Sequence, residues 1–449
     1  MDKVLAKAAQ CASEYLTSLH DRRVFPSVEE LAKLAALGGA LGEQGADPIE
    51  TIELLHRVGS PATVASAGGR YFGYVIGGSL PAALGANWLA AAWDQNAFMT
   101  STSPVAASIE ETALRWLLDV LRLPTGCGGA FVTGATMASF TALAAARHAL
   151  LAKSDWNVEE NGLFGAPEII VVVSDETHTS VFKALSMLGL GRRRIVRAPV
   201  DRQGRIDLDQ LPPLTASTLV CTQAGNVNTG AFDPISDICL RAHQVGAWVH
   251  VDGAFGLWGA ATPTLAHLTD GIAQADSWAT DGHKWLNIPY DSGFAFVRDP
   301  VHLHSAMASS AAYYAPGATR DPGQFTPESS RRARGIEVWA ALRSVGRAGL
   351  ADLIERTCRY ARRFAAGLKD AGFSILNDVV LNQVLVSFGS AERTRRVVAA
   401  IQDDGTCWCG ATVWQGYDAM RISVSSWATT DEDVERGLES IITIARRTK

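Results

Sequence analysis

Residues Ala247-Trp248-Val249-His250-Val251-Asp252-Gly253-Ala254-Phe255-Gly256 read as an apolar strand that ends in a carboxylate and then turns through small residues. The run lacks the polar alternation of a strand wetted on one face, so it belongs in a sheet covered on both sides. Runs of the same kind lie near 169–173, 217–222 and 293–297, with helical patterns between them. This alternation predicts an α/β lobe with a mostly parallel sheet, whose functional groups stand at the carboxyl ends of its strands. Asp252 is at such an end.

Working outward, Ser277-Trp278-Ala279-Thr280-Asp281-Gly282-His283-Lys284-Trp285-Leu286-Asn287 is a short strand-like run entering a glycine-containing turn with one lysine. A lysine amine becomes a catalyst when it is desolvated and condensed with an aldehyde. Upstream, Gly129-Ala130-Phe131-Val132-Thr133-Gly134-Ala135-Thr136-Met137-Ala138-Ser139 precedes an Ala/Leu-rich helical run to about Leu150. Gly134, Ala135 and Thr136 would let backbone N–H groups and a helix N-terminus approach a phosphate dianion. This turn is neither a Walker loop nor the dinucleotide fingerprint. The run Ile169 to Ser174 places His178 just beyond a buried strand. Taken singly, each stretch also reads as something ordinary: a surface lysine, a strand-to-loop turn, a Gly/Ala turn, a loop histidine.

Taken together and in this order, phosphate turn, strand-end histidine, strand-end aspartate and lysine, the chain resembles the group II amino-acid decarboxylases of the fold-type I pyridoxal-phosphate enzymes. Arg70-Tyr71-Phe72-Gly73-Tyr74 resembles their aromatic pocket segment, and Ser103-Pro104 through Leu123-Pro124 their next helix. The likeness runs from about Gly69 to Trp427. It implies a large lobe with a mostly parallel, seven-stranded-type sheet covered by helices, a small C-terminal α+β lobe, and an N-terminal helical arm. It implies pyridoxal 5′-phosphate as cofactor, with Lys284 as the lysine that condenses with its aldehyde, Asp252 against the pyridine nitrogen and Ala254 beneath the ring. His178 would stack on the ring, Ala135, Thr136 and His283 would contact the phosphate, and Asn226 would lie near the ring face. Tyr71, Phe72 and Tyr74 would line the substrate pocket.

The implied reaction is decarboxylation of an L-amino acid, aromatic or bulky and apolar, to an amine and carbon dioxide. Transamination, oxidative deamination and carbon–carbon cleavage use the same scaffold, as would a cofactor-binding protein without turnover. Arg421 is the residue type with which a transaminase grips a carboxylate, or it is an ordinary ion-pair arginine. The chain departs from the family at one place: a loop tyrosine that supplies a proton in the aromatic-amino-acid decarboxylases would fall near Pro322. Tyr313, Tyr314 or His178 would then supply that proton, or its delivery would be slow enough for side reactions.

The 449 residues, 47% hydrophobic and 19% charged, suffice for a large core in more than one lobe. A net charge of −6 and pI near 6.0 argue against nucleic acid or an anionic membrane as partner. The N-terminus lacks a secretory pattern, the most apolar stretch (77–93) is interrupted by Pro81, Gly85 and Asn87, and seven irregularly spaced cysteines fit reduced thiols. A cytoplasmic enzyme for a small substrate is the expectation, with no metal site; Cys407-Trp408-Cys409 is not a CxxC. Residues 1–68 read as a helical arm for dimerisation, 69–335 as the cofactor-binding domain and 336–449 as the small domain. Capping boxes are expected at Ser27/Glu30 and Ser108/Glu111, and Leu31, Leu34 and Leu37 share a helical face. The stretch from His302 to Gly335 has little periodicity and reads as an active-site loop.

Overall fold

The computed structural model describes residues 1–310 and 320–448. It divides into two compact units, one of residues 77–361 with 377–383, the other of residues 1–76, 362–376 and 384–449.

The larger unit is built on seven strands: β1 (Gly128–Val132), β2 (Ile170–Ser174), β3 (Val196–Ala198), β4 (Thr218–Gln223), β5 (Trp248–Asp252), β6 (Ser277–Asp281) and β7 (Gly293–Val297), in the order β1-β7-β6-β5-β4-β2-β3. Only β7 runs against its neighbours, β1 and β6. The expected mostly parallel sheet is therefore present, and the four apolar runs are its strands. β1 was legible only as a turn, because Gly128, Gly129 and Ala130 carry no β-branched signal. Helix Ala135–Ala152 lies on the sheet with its alanines buried against Val171, Val173, Leu219 and Val297. Small side chains bring its backbone close to the strands, and each buried valine or leucine contributes about 1.5–3 kcal/mol of apolar transfer.

The expected cap at Ser108/Glu111 is not a helix start. The helix runs Pro104–Val120, and Ser103 caps it by accepting the N–H of Ala106 at 3.3 Å. Proline suits the first helical position, where no N–H is needed. Glu110 on this helix is buried with Arg331, Oε2 to Nη1 at 2.8 Å, and with Arg320, Oε1 to Nη1 at 3.5 Å. Arg331 also donates to the carbonyl of Phe131 in β1 at 2.9 Å, so this charge cluster anchors the strand that leads into the glycine turn. Helix Pro300–Met307 and a short turn at Pro322–Phe325 occupy part of the expected loop. Tyr313 and Tyr314 lie outside the described residues.

The smaller unit holds β8 (Ser374–Ile375), β9 (Gln383–Ser387, whose first residue belongs to the larger unit), β10 (Gly410–Trp414) and β11 (Tyr417–Ser423), ordered β10-β11-β9-β8. The N-terminal residues belong to this unit through Arg70, whose buried guanidinium donates to the carbonyls of His20 and Arg22 at 2.8 and 2.9 Å and to that of Thr406. The Ser27/Glu30 capping box forms as expected. Helix Gly335–Asp370 is broken at Gly346, whose φ of +61° suits glycine. No described helix is long and apolar enough to cross a membrane.

Replacing Glu110 by Gln leaves two guanidinium groups in the interior without their counter-charge. The variant is expected to lose about 3 kcal/mol of unfolding free energy, measured as a lower urea midpoint at unchanged slope. A loss under about 1 kcal/mol would mean that solvent, not Glu110, balances these arginines.

Candidate active site

The carboxyl ends of β1, β5 and β6 and the first residue of β7 meet at one edge of the sheet. In the register, both Val132 and Asp281 lie opposite Gly293. A Cβ on Gly293 would stand 2.4 Å from the Cα of Gly134, so only glycine lets the turn after β1 cross the end of β7. The turn then delivers helix Ala135–Ala152 with its first N–H pointing at the end of β6. There the Oδ1 atom of Asp281 accepts the N–H of Ala135 at 2.5 Å.

Lys284 follows β6 in a tight turn. Its Nζ is 3.0 Å from Oδ2 of Asp281, with the lysine side chain 22% exposed and the aspartate 3%. Asn287, at φ +56°, closes the turn: its N–H reaches the carbonyl of Lys284 at 3.2 Å, and its side chain accepts the N–H of Gly78 at 2.7 Å. Gly77 passes so close that a Cβ there would overlap the Lys284 carbonyl at 1.9 Å. His283 accepts the N–H of Ser292 on Nδ1 at 3.1 Å and stacks on Tyr290 with 4.3 Å between ring centroids. Its Nε2 lies 3.5 Å from Asp281. Burial lowers the basicity of His283, and burial also pushes the Tyr290 phenol up to about 12, with the Asp281 charge adding to it. More than half of the Tyr290 surface is nonetheless exposed.

Asp252 ends β5, buried, with Oδ1 accepting the N–H of Ala254 at 3.1 Å. Burial raises its carboxyl above the ordinary range, while the nearby His178 and Lys284 favour its charged form. The carbonyl of Ala254 accepts the N–H of Asp281 at 3.0 Å, which ties the β5 turn to the β6 end. His178 caps helix Thr179–Met187, its Nδ1 2.7 Å from Oγ of Ser180 and 3.3 Å from the N–H of Ser180. An open cleft of about 480 Å³ has Thr136, His178 and Ser180 in its wall, with Lys183 and Arg197 beside them. Asn226 is buried, its Oδ1 taking the N–H groups of Asn228 and Thr229, while its Nδ2 has no hydrogen-bond partner among the described residues.

A flat, phosphorylated aromatic aldehyde fits these groups. The helix N-terminus at Gly134–Thr136 offers N–H groups to a phosphate, Asp252 offers a buried carboxylate to a ring nitrogen, and Lys284 offers an amine. The donor left over on Asn226 is the kind of orphan that a bound polar group satisfies. Asp281, Tyr290 and Gly293 were not assigned from sequence. The Asp281 signal was there to read, an acid three residues before the lysine at a strand end, but its second contact, with Ala135, spans the sheet.

Tyr71, Phe72 and Tyr74 belong to the smaller unit. Tyr71 and Tyr74 stack on Trp408 with centroids 5.2 and 5.6 Å away, and burial lowers the basicity of Arg421, beside both tyrosines. Phe72 is fully buried, edge-on to Phe364. Among the described residues no group of side chains is arranged to hold a metal.

Residues 61–389 match the pyridoxal-dependent decarboxylase conserved domain. Tryptophan decarboxylase 1 of Oryza sativa subsp. japonica is 27% identical over 97% of this chain and 92% of its own length. The aromatic-L-amino-acid decarboxylase of Bacillus atrophaeus is 28% identical over 81% and 76%. The structure of Oryza sativa TDC with PLP and tryptamine shares the fold with a TM-score of 0.91 at 24% identity, over 99% of this chain and 97% of that one. The chain belongs to the pyridoxal-dependent decarboxylases, enzymes that use pyridoxal 5′-phosphate to release carbon dioxide from an amino acid.

Proposed function

We propose that the protein decarboxylates an aromatic L-amino acid to the corresponding amine, with Lys284 holding the cofactor and Asp252 facing its ring nitrogen. The observation that carries the site assignment is the meeting of Lys284, Asp252 and the Gly134–Thr136 turn at one sheet edge. The aromatic substrate is supported by the relatives, a tryptophan decarboxylase and an aromatic-L-amino-acid decarboxylase.

Bound there, the cofactor acts as an electron sink for a bond broken at the substrate α-carbon. The protein's own task is orientation and charge. Asp252 supplies the buried negative charge that keeps the ring nitrogen protonated, and Ala254, small and two residues on, leaves room beneath a ring. Ala135, Thr136 and His283 hold the phosphate, Asn226 donates to the ring periphery, and His178 covers the other face. Tyr71 and Tyr74 are the aromatic residues assigned to the substrate; Phe72, packed against Phe364, supports them from the core. The proton that replaces the departing carboxylate comes from Tyr313, Tyr314 or His178.

The same reading makes the enzyme a cytoplasmic homodimer joined through the arm of residues 1–68. All seven cysteines are thiols. Leu31, Leu34 and Leu37 remain exposed on the arm, and Trp88, Leu89 and Trp93 on helix Pro81–Trp93, apolar faces that a second copy would cover. Light scattering of the active protein is expected to give twice the chain mass; an active monomer at working concentration would refute the dimer.

Borohydride reduction of the yellow holoenzyme is expected to fix the cofactor on the peptide containing Lys284. Asp252→Asn, saturated with cofactor, is expected to lose at least two powers of ten in kcat, equivalent to about 3 kcal/mol of lost transition-state stabilisation. A label on another lysine or an unchanged kcat removes these residues from the roles given.

An amine-release screen over the L-amino acids, with carbon dioxide and aldehyde measured together, tests the substrate. Tryptophan, tyrosine or phenylalanine should lead, with amine and carbon dioxide in equal amounts. A preference for an acidic amino acid, or aldehyde in place of amine, would overturn this part.

A further inference from the structure

Asp281 is buried to 2% exposure and divides its two carboxylate oxygens between two elements. Oδ1 takes the first N–H of helix Ala135–Ala152 at 2.5 Å, and Oδ2 takes Nζ of Lys284 at 3.0 Å. Those are the two places where the proposed cofactor site would engage its ligand, the phosphate at the helix N-terminus and the aldehyde at the lysine. An anion at a helix N-terminus is stabilised by the N–H groups and dipole there, and an ammonium in a closed site is stabilised by a carboxylate at contact distance. One aspartate therefore satisfies, from inside the protein, what the phosphate and the aldehyde would otherwise take.

We infer that Asp281 is a positioning residue that acts as a latch, holding the phosphate seat and the cofactor lysine until cofactor enters, and that loading must loosen both contacts. The inference rests on the assignment of Lys284 and the Gly134–Thr136 turn as the cofactor site. For Lys284 to bond to the aldehyde carbon, its ammonium gives up a proton to solvent and the carbonyl oxygen leaves as water. Asp281 opposes that step through its 3.0 Å contact with Nζ, which must part before the nitrogen can reach the aldehyde carbon, and it opposes the phosphate by placing a carboxylate at the helix start. The other charged and titratable groups facing this pair are Asp252 on β5, His283 and Tyr290 on the lysine turn, with His178 acting on Asp252 from the β2 side. Asp281 also helps hold the turn and the strand end together, so the cofactor-free protein should gain stability from the group that slows its loading.

The test uses the full-length protein stripped of cofactor, with Asp281→Asn, which keeps the shape and an acceptor for Ala135 but removes the charge. Two ligands separate the two contacts: pyridoxine 5′-phosphate, which has the phosphate and no aldehyde, and pyridoxal 5′-phosphate, whose visible absorbance on Lys284 reports capture. The variant should bind pyridoxine 5′-phosphate at least fivefold tighter, develop the absorbance at least fivefold faster at pH 7, and melt at a lower temperature without ligand. A merely structural aspartate would move affinity and melting temperature downward together. Affinity equal to or weaker than the parent's, or absorbance that develops no faster, overturns the latch. Should the asparagine variant fail to fold, Asp281→Ser, also uncharged and hydrogen-bonding, carries the same expectations. Borohydride labelling away from Lys284 would sink the site assignment itself, whereas labelling at Lys284 with unchanged capture sinks only the latch.

Discussion

The approach of Gly134 to Gly293 is the constraint on which the catalytic edge depends. β7 runs between β1 and β6 in the opposite direction, so its first residue faces the last residues of both. With no side chain at Gly293, the turn after β1 lies directly over the strand end, and helix Ala135–Ala152 begins within reach of β6. A methyl group at that point would push the helix start away from the lysine turn. The spacing between the start of helix Ala135–Ala152 and the Lys284 amine is thus set in part by a backbone contact.

The charges at this edge are arranged so that none is left alone in a poorly solvated place. Asp281 is shared by Lys284 and a helix N-terminus, and Asp252 is balanced by His178 and Lys284. Burying a carboxylate is costly unless it is paired and hydrogen-bonded, and each of these has both kinds of partner. Some distance away, Glu110 does the same for Arg331 and Arg320, and through Arg331 it steadies β1. Buried ionic groups thus stand both at the candidate site and in the framework, and the two sets are linked through β1.

The substrate-facing assignments rest on a different kind of residue. Trp408 sits between Tyr71 and Tyr74 in the smaller unit, and Gly73 has no room for a Cβ because the Trp408 ring occupies that space. The CWC stretch, read from sequence for its cysteines, contributes its tryptophan instead. Its two thiols are buried in the core.

The sequence by itself determined five of the seven strands of the large sheet, all but β1 and β3, because a continuous apolar run bounded by small residues is a local property of the chain. It also picked out Lys284, Asp252 and His178, since each stands at or just past the end of such a run, where this class of fold presents its functional groups. It did not show that Gly128–Val132 is a strand, or that residues 1–76 share a unit with the C-terminal strands. Those outcomes depend on pairing partners far along the chain, such as Gly293 for β1 and Thr406 for Arg70. Only the tertiary structure brought Ala135 to Asp281, across nearly a third of the chain, and fixed Tyr290 against His283. Residue type and spacing record what a segment prefers alone, whereas the site is made by register and close approach between segments that have no local signal of each other.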